Sequence, residues 1–136
     1  MHWYFQALKK YFNFKGRARR KEFWMFQIFN GLIFYTFPIL LATLTYKMGE
    51  NLDLALAVCG LSMGIYGLLT FVPNMAVSVR RMHDINRSAW WLLINLIPVV
   101  GWLLTFIWYL FNSDAGKNKY GPNPKLVKQD PAEIHI

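Results

Sequence analysis

Charge is missing from three blocks of this 136-residue chain. Residues 23–46, 54–79 and 88–113 contain no Asp, Glu, Lys or Arg, although the whole sequence carries fifteen basic and seven acidic residues. With no acid inside any block, ion-coupled carriage is disfavoured, because proton- and sodium-coupled transporters usually place Asp or Glu at membrane depth. Cysteine is nearly absent too. Cys59 stands alone in the second block, which excludes an intramolecular disulfide and a cysteine-rich metal site. Its expected role is that of a small apolar residue. His2 and His135 lie at the two ends with His83 between them, so neither a metal nor another cofactor is expected. No Gly-rich phosphate loop, nucleophile elbow or paired-carboxylate arrangement occurs. Residues 1–11 lack the short apolar run and small-residue cleavage site of a secretory signal, so the first block is expected to be retained.

What is present is apolar and aromatic. A helix needs about 20 mostly apolar residues to cross a hydrocarbon core about 30 Å thick, and each block is 24–26 residues long. At 55% hydrophobic and 18% aromatic residues, a soluble domain of this size would lack the polar surface to stay dispersed. The sequence predicts an all-α, helical integral membrane protein with three hydrophobic segments, about 23–46, 54–79 and 88–111. They form one multi-pass domain over residues 1–125, followed by a disordered tail over 126–136. Ahead of the first segment, Trp3, Tyr4, Ala7, Leu8, Tyr11 and Phe12 recur at helical spacing and predict an N-terminal amphipathic interfacial helix. Trp24, Trp90 and Trp91 are expected to anchor segment ends in the headgroup zone. Gly60, Gly64 and Gly67 would form a flat strip for helix packing, expected to serve contacts within the chain ahead of dimerisation.

The third block admits two dispositions. Pro98 falls near its middle with Gly101 following, so it is either one kinked crossing or split into two short segments of a hairpin. Length favours the single crossing, because each half of 10–13 residues would reach less than about 20 Å as a helix. Charge favours the return. With the N-terminus cytoplasmic, residues 1–22 and 80–87 place seven and three basic residues inside and 47–53 place one outside. Lys117, Lys119, Lys125 and Lys128 of the tail then fall inside only if the block re-enters.

The basic residues crowd the block ends. Arg17, Arg19 and Arg20 precede the first, and Arg80, Arg81 and Arg87 bracket His83 and Asp84 between the second and third. An anionic leaflet attracts such residues at about 1 kcal/mol each near the surface, which accounts for the net charge of +8 without nucleic acid. Glu22 and Asp84 are expected to form structural ion pairs, with Glu22 in reach of Arg80, Arg81 or Arg87 if both segments share one side. Residues 80–88 read either as an anion clamp with His83 as proton carrier or, more simply, as an anchored loop. Asn112-Ser113-Asp114-Ala115-Gly116 and Gly121-Pro122-Asn123-Pro124 read as turns.

Taken together, four motifs are distinctive. They are Phe14-x-Gly16-Arg17-Ala18-Arg19-Arg20-Lys21-Glu22-Phe23-Trp24, Arg80-Arg81-Met82-His83-Asp84-x-x-Arg87-Ser88-x-Trp90-Trp91, Pro98-x-x-Gly101, and Gly116-x-Asn118-x-Tyr120-Gly121-Pro122-Asn123-Pro124. In this order they resemble the signature blocks of the bacterial domain-of-unknown-function family 805, to which the YhaI-like inner-membrane proteins belong. Ala89 and Asn123 depart mildly from the family pattern. The resemblance implies a small multi-pass protein of the bacterial inner membrane and implies no activity. The expected function is non-enzymatic: a basic cytoplasmic face, Arg17, Arg19, Arg20, Arg80, Arg81 and Arg87, contacting anionic lipid headgroups or a membrane-protein partner, with homo-oligomerisation possible. Permeation of a small anionic solute through an oligomer is the alternative. A lipid-headgroup enzyme using His83 and Asp84 is a third.

Overall fold

The computed structural model of the chain describes residues 5, 9, 11–49 and 51–126. The expected interfacial helix falls largely outside these residues, as does the expected disordered tail apart from Leu126. Residues 11–19 are turns and extended chain. Among the described residues no strand forms; the regular elements are α1 (Arg20–Lys47), α2 (Leu52–Asp84), a 3-10 helix (Ala89–Leu96) and α3 (Val100–Leu110).

The two long helices follow from the first two apolar blocks plus their polar flanks. Helix α1 starts after the extended Arg19, carries Glu22 in its first turn, and runs unbroken through Pro38. Its end is marked by Gly49 at φ +89°, and Asn51 opens α2 by accepting a 2.8 Å hydrogen bond from the Leu54 amide. At about 1.5 Å per residue α1 and α2 extend roughly 42 and 50 Å. Both therefore exceed a hydrocarbon core of about 30 Å. They lie antiparallel: Glu22 meets Arg80, Gln27 donates to Asn74 at 2.8 Å, Tyr66 donates to Asn30 at 3.0 Å, and Phe34 stands over Gly67. Asn30 and Asn74 thus find partners across the helix pair.

Burial is inverted relative to a soluble bundle. In the most apolar 18-residue window of each long helix only 11% and 6% of residues are buried, so neither is the covered core helix of a water-soluble domain. Leu32, Ile39, Leu56, Leu61, Leu68 and Phe71 face outward, while Arg80, Arg81, Asp84 and Glu22 are buried. The chain hides charge and exposes hydrocarbon, as a bilayer solvent requires.

The third block forms two short arms and no single long helix. The 3-10 helix and α3 fold back on each other around Pro98 and Val99, the latter at φ +66°. Trp91 meets Trp108 edge-on at 5.6 Å, Thr105 donates to Asn95 Oδ1 at 2.8 Å, and Trp102 Nε1 donates to the Asn95 carbonyl at 3.1 Å. A Cβ on Gly101 would stand 1.8 Å from the Ile94 carbonyl oxygen, so the close approach at the turn admits only glycine. Each arm is roughly 16 Å long. Of the two dispositions, the geometry is the split one: two helices of spanning length are followed by a short hairpin that brings the chain back to the Arg81 end of α2. That return is fixed by Arg81, whose NH2 donates to the carbonyls of Tyr109, at 3.1 Å, and Phe111 at the end of α3.

The glycine strip also departs from expectation. Added Cβ atoms at Gly60 and Gly64 meet nothing within 4 Å, and only Gly67 packs within the chain, 3.6 Å from Phe34. The antiparallel register turns the Gly60 and Gly64 positions outward.

Candidate functional site

The return of the hairpin gathers four sequence-distant segments at one end of the helix pair. Arg17 is their hub. Its Nε donates to Asp84 Oδ1 at 3.1 Å, NH1 to the carbonyls of Gly116 (2.8 Å) and Gly121 (3.3 Å), and NH2 to the carbonyls of Asp84 (3.2 Å) and Asp114 (2.7 Å). All five guanidinium donors are used. Arg81 NH1 takes the other Asp84 oxygen at 2.5 Å, and Asp84 has no exposed surface. Two guanidinium groups thus share one carboxylate, and the excess positive charge is met by main-chain carbonyls. Several of these lie at the C-terminal ends of α2 and α3, where the helix dipole is negative.

Beside this clasp a second buried pair ties the two long helices, Arg80 NH1 to Glu22 Oε1 at 2.7 Å. The Ala18 amide donates to the Arg80 carbonyl at 3.0 Å. His83 Nδ1 lies 3.2 Å from the Gly16 carbonyl, and its ring stacks on Tyr120 at 3.8 Å and 8°. It sits beyond the uncharged stretch of α2. Burial lowers its pKa below the ordinary histidine value, the Gly16 carbonyl opposes that shift, and Lys119 adds to it.

The segment after α3 forms turns, as expected, and these turns are bonded into this structure. Asn118 Nδ2 donates to the His83 carbonyl at 2.9 Å, Asn123 Nδ2 to the Asp114 carbonyl at 3.2 Å, and the Asp114 amide to the Asp84 carbonyl at 2.9 Å. The signal that could have shown this is the polar Gly116-to-Pro124 motif itself, whose asparagines and φ-permissive glycines supply donors and free carbonyls.

Six arginines were expected to form a lipid-facing surface, and the structure divides them. Arg17, Arg80 and Arg81 are buried and engaged by protein groups. Three guanidinium groups spent inside the fold cannot line the entrance of an anion path or touch a headgroup. Arg19 and Arg20 remain partly exposed, tethered by Nε to the Pro124 carbonyl at 2.7 Å and by NH1 to Asn112 Oδ1 at 2.9 Å. With Lys21, Lys125, Trp24, Met25 and Asn112 they line an open groove of about 600 Å³. Arg87 lies over the Trp108 ring at 4.4 Å and near Trp91 at 5.7 Å. Of the aromatic anchors, Trp24 packs edge-on to Phe106 at 5.7 Å, Trp91 on Trp108, and Trp90 is exposed.

The chemistry proposed for His83 and Asp84 finds no geometry. Both Asp84 oxygens face arginines in a closed site, so the carboxylate is not placed to serve as base or ligand. Among the described residues no three of His, Cys, Asp and Glu converge.

Comparison with known proteins supplies the family. Residues 11–122 match the family described as "Protein of unknown function (DUF805)". The chain is 42% identical over 128 residues to "Inner membrane protein YhaH" of Escherichia coli (strain K12), covering 93% of this chain and 98% of that protein. It is 38% identical over 126 residues to "Inner membrane protein YhaI" of the same strain, with the same coverage. Over 94 residues, 68% of this chain and 53% of the relative, it is 34% identical to "Uncharacterized protein YiiR". No solved structure matches. The clasp residues Arg17, Arg81, Asp84, Gly116 and Gly121 all lie within the matched residues 11–122, and the chain belongs to the family DUF805, together with inner-membrane proteins of Escherichia coli.

Proposed function

We propose that this chain is a non-enzymatic, multi-pass protein of the bacterial inner membrane, with its N-terminus cytoplasmic and a basic cytoplasmic face that contacts anionic lipid headgroups. One observation carries the reading. At the end of the helix pair where the clasp lies, the acids Glu22 and Asp84 are buried against arginines and, among the described residues, Asp114 is the one acid partly exposed, whereas Arg19 and Arg20 are partly exposed and Lys21, Lys117, Lys119 and Lys125 exposed. The remaining field at that end is cationic, and it begins where the apolar helix surface stops. An anionic leaflet complements both features, and the excess of basic residues at this end supports a cytoplasmic side for it, following the positive-inside bias.

The test uses the protein's own tryptophans. In phosphatidylcholine bilayers containing phosphatidylglycerol, brominated phosphatidylglycerol should quench tryptophan fluorescence more than brominated phosphatidylcholine at equal mole fraction. The difference should shrink as salt rises, because exposed charges are screened beyond about 10 Å at 0.1 M. Equal quenching by the two lipids at low salt would refute the reading.

A further inference from the structure

We infer that the groove at the head of α1 is a binding site for a single phospholipid of net negative headgroup charge, one whose phosphodiester is not balanced by a headgroup cation. The inference rests on the proposed lipid-contacting face and narrows it to one place. Among the described residues four cations line the groove, Arg19, Arg20, Lys21 and Lys125, and no carboxylate does. They are not equivalent. Arg19 and Arg20 each give one guanidinium nitrogen to a protein acceptor, Pro124 O and Asn112 Oδ1, which fixes the planar groups and leaves further N–H donors on each. Lys21 and Lys125 make no side-chain hydrogen bond or ion pair among the described residues. Two oriented forks and two mobile ammonium groups suit a phosphate oxygen cluster.

The rest of the groove selects a lipid over a free phosphate ion. Trp24 and Met25 form its apolar wall, three and four residues beyond Lys21 on the same helix. The stripe continues through Ile28 and Leu32, both more than half exposed, at the three-to-four spacing that keeps residues on one helical face. A cationic head therefore leads directly into an apolar track that no described residue covers. Inorganic phosphate would use the head alone; a phospholipid would place its phosphodiester among the cations and an acyl chain along Met25, Ile28 and Leu32.

Native mass spectrometry of the full chain, released from a nonionic detergent after incubation with equal amounts of phosphatidylglycerol and phosphatidylcholine, tests the site. The expected result is one retained phosphatidylglycerol in preference to phosphatidylcholine. The double variant Lys21→Gln/Lys125→Gln should weaken retention roughly tenfold or more, since each cation near an anionic surface counts several-fold. Both lysines are exposed, so folding should survive. The matched control Lys15→Gln/Lys47→Gln removes the same charge at exposed positions outside the groove and should change retention less than twofold. Equal losses in the two doubles would overturn the groove while leaving the basic-face reading intact. No preference for phosphatidylglycerol in the unaltered protein would overturn both. Displacement of the lipid by millimolar inorganic phosphate would also overturn the inference, because it would make the site one for a free anion.

Discussion

Replacing Asp84 by Asn keeps the shape of the side chain and removes its charge at the centre of the clasp. Asp84 is fully buried and accepts from Arg17 Nε at 3.1 Å and Arg81 NH1 at 2.5 Å. The amide can keep one of these bonds through its oxygen, while its NH2 is turned toward the other guanidinium, donor against donor. Hydrogen bonds to charged groups contribute about 1.5–3 kcal/mol, and removing one partner of a buried ion pair costs about 3–5 kcal/mol. The carbonyls of Gly116, Gly121, Asp114, Tyr109 and Phe111 still surround the two arginines, which places the expected loss near the lower end, about 3 kcal/mol. Equilibrium unfolding in mixed micelles, titrated with a denaturing detergent and followed by tryptophan fluorescence, measures it. Asp114→Asn is the control, because Asp114 contributes only its main chain to the clasp; it should stay within about 0.5 kcal/mol of the parent. A loss below about 1 kcal/mol for Asp84→Asn, or equal losses for the two variants, would refute the reasoning that this carboxylate neutralises two buried arginines.

Glu22→Gln and Arg80→Gln should each destabilise by about 3–5 kcal/mol, and the double variant by clearly less than their sum, as measured in the same titration; additive losses would mean no direct coupling. Gly101→Ala should abolish folded protein in size-exclusion profiles, because its Cβ would collide with the Ile94 carbonyl oxygen, whereas Gly60→Ala, which meets nothing, should raise stability by about 0.5–1 kcal/mol. A C-terminal reporter fusion should report the same membrane side as an N-terminal one, since the hairpin returns the chain to the Asp84 end; opposite sides would restore the single crossing. His83 has a lowered pKa in the folded protein, so the unfolded chain binds more protons and stability falls as pH drops through the ordinary histidine value of about 6.5. His83→Gln should flatten that dependence between pH 7.5 and about 5.5, and an unchanged slope would assign it to other groups.

Much of the architecture is legible from charge alone, because a block without charge and longer than about 20 residues has few stable fates outside a bilayer. The first two blocks become the central parts of α1 and α2. The third shows where that reasoning stops. Its length fits one crossing, yet the outcome is set by a main-chain contact at Gly101 and by Arg81 capping α3, and neither has a periodicity to read. The arginines show the same limit differently. Arg17 and Arg19 are two residues apart and chemically identical, but the extended chain between them turns one inward to five acceptors and leaves the other at the groove. Local sequence cannot separate them, since the acceptors of Arg17 come from residues 84, 114, 116 and 121.

That division changes what the family motifs mean for this chain. Arg17, Glu22, Arg80, Arg81, Asp84, Gly116, Asn118 and Gly121 all carry the resemblance, and all are consumed by contacts within the fold. Pro98 and Gly101 carry it too and sit at the hairpin turn. Motifs so used specify how two helices and a hairpin close at one end; a binding partner needs groups that the closure leaves over. Lys125 is such a group and lies beyond the matched residues 11–122. Lys21 lies inside a motif but faces out. A search for activity that mutates the motif arginines would therefore mostly unfold the clasp, and loss of function in Arg17, Arg81 or Asp84 variants would say little about what the protein binds. The informative positions are the uncommitted cations around the groove, where a change of charge can be made without dismantling the structure that holds them.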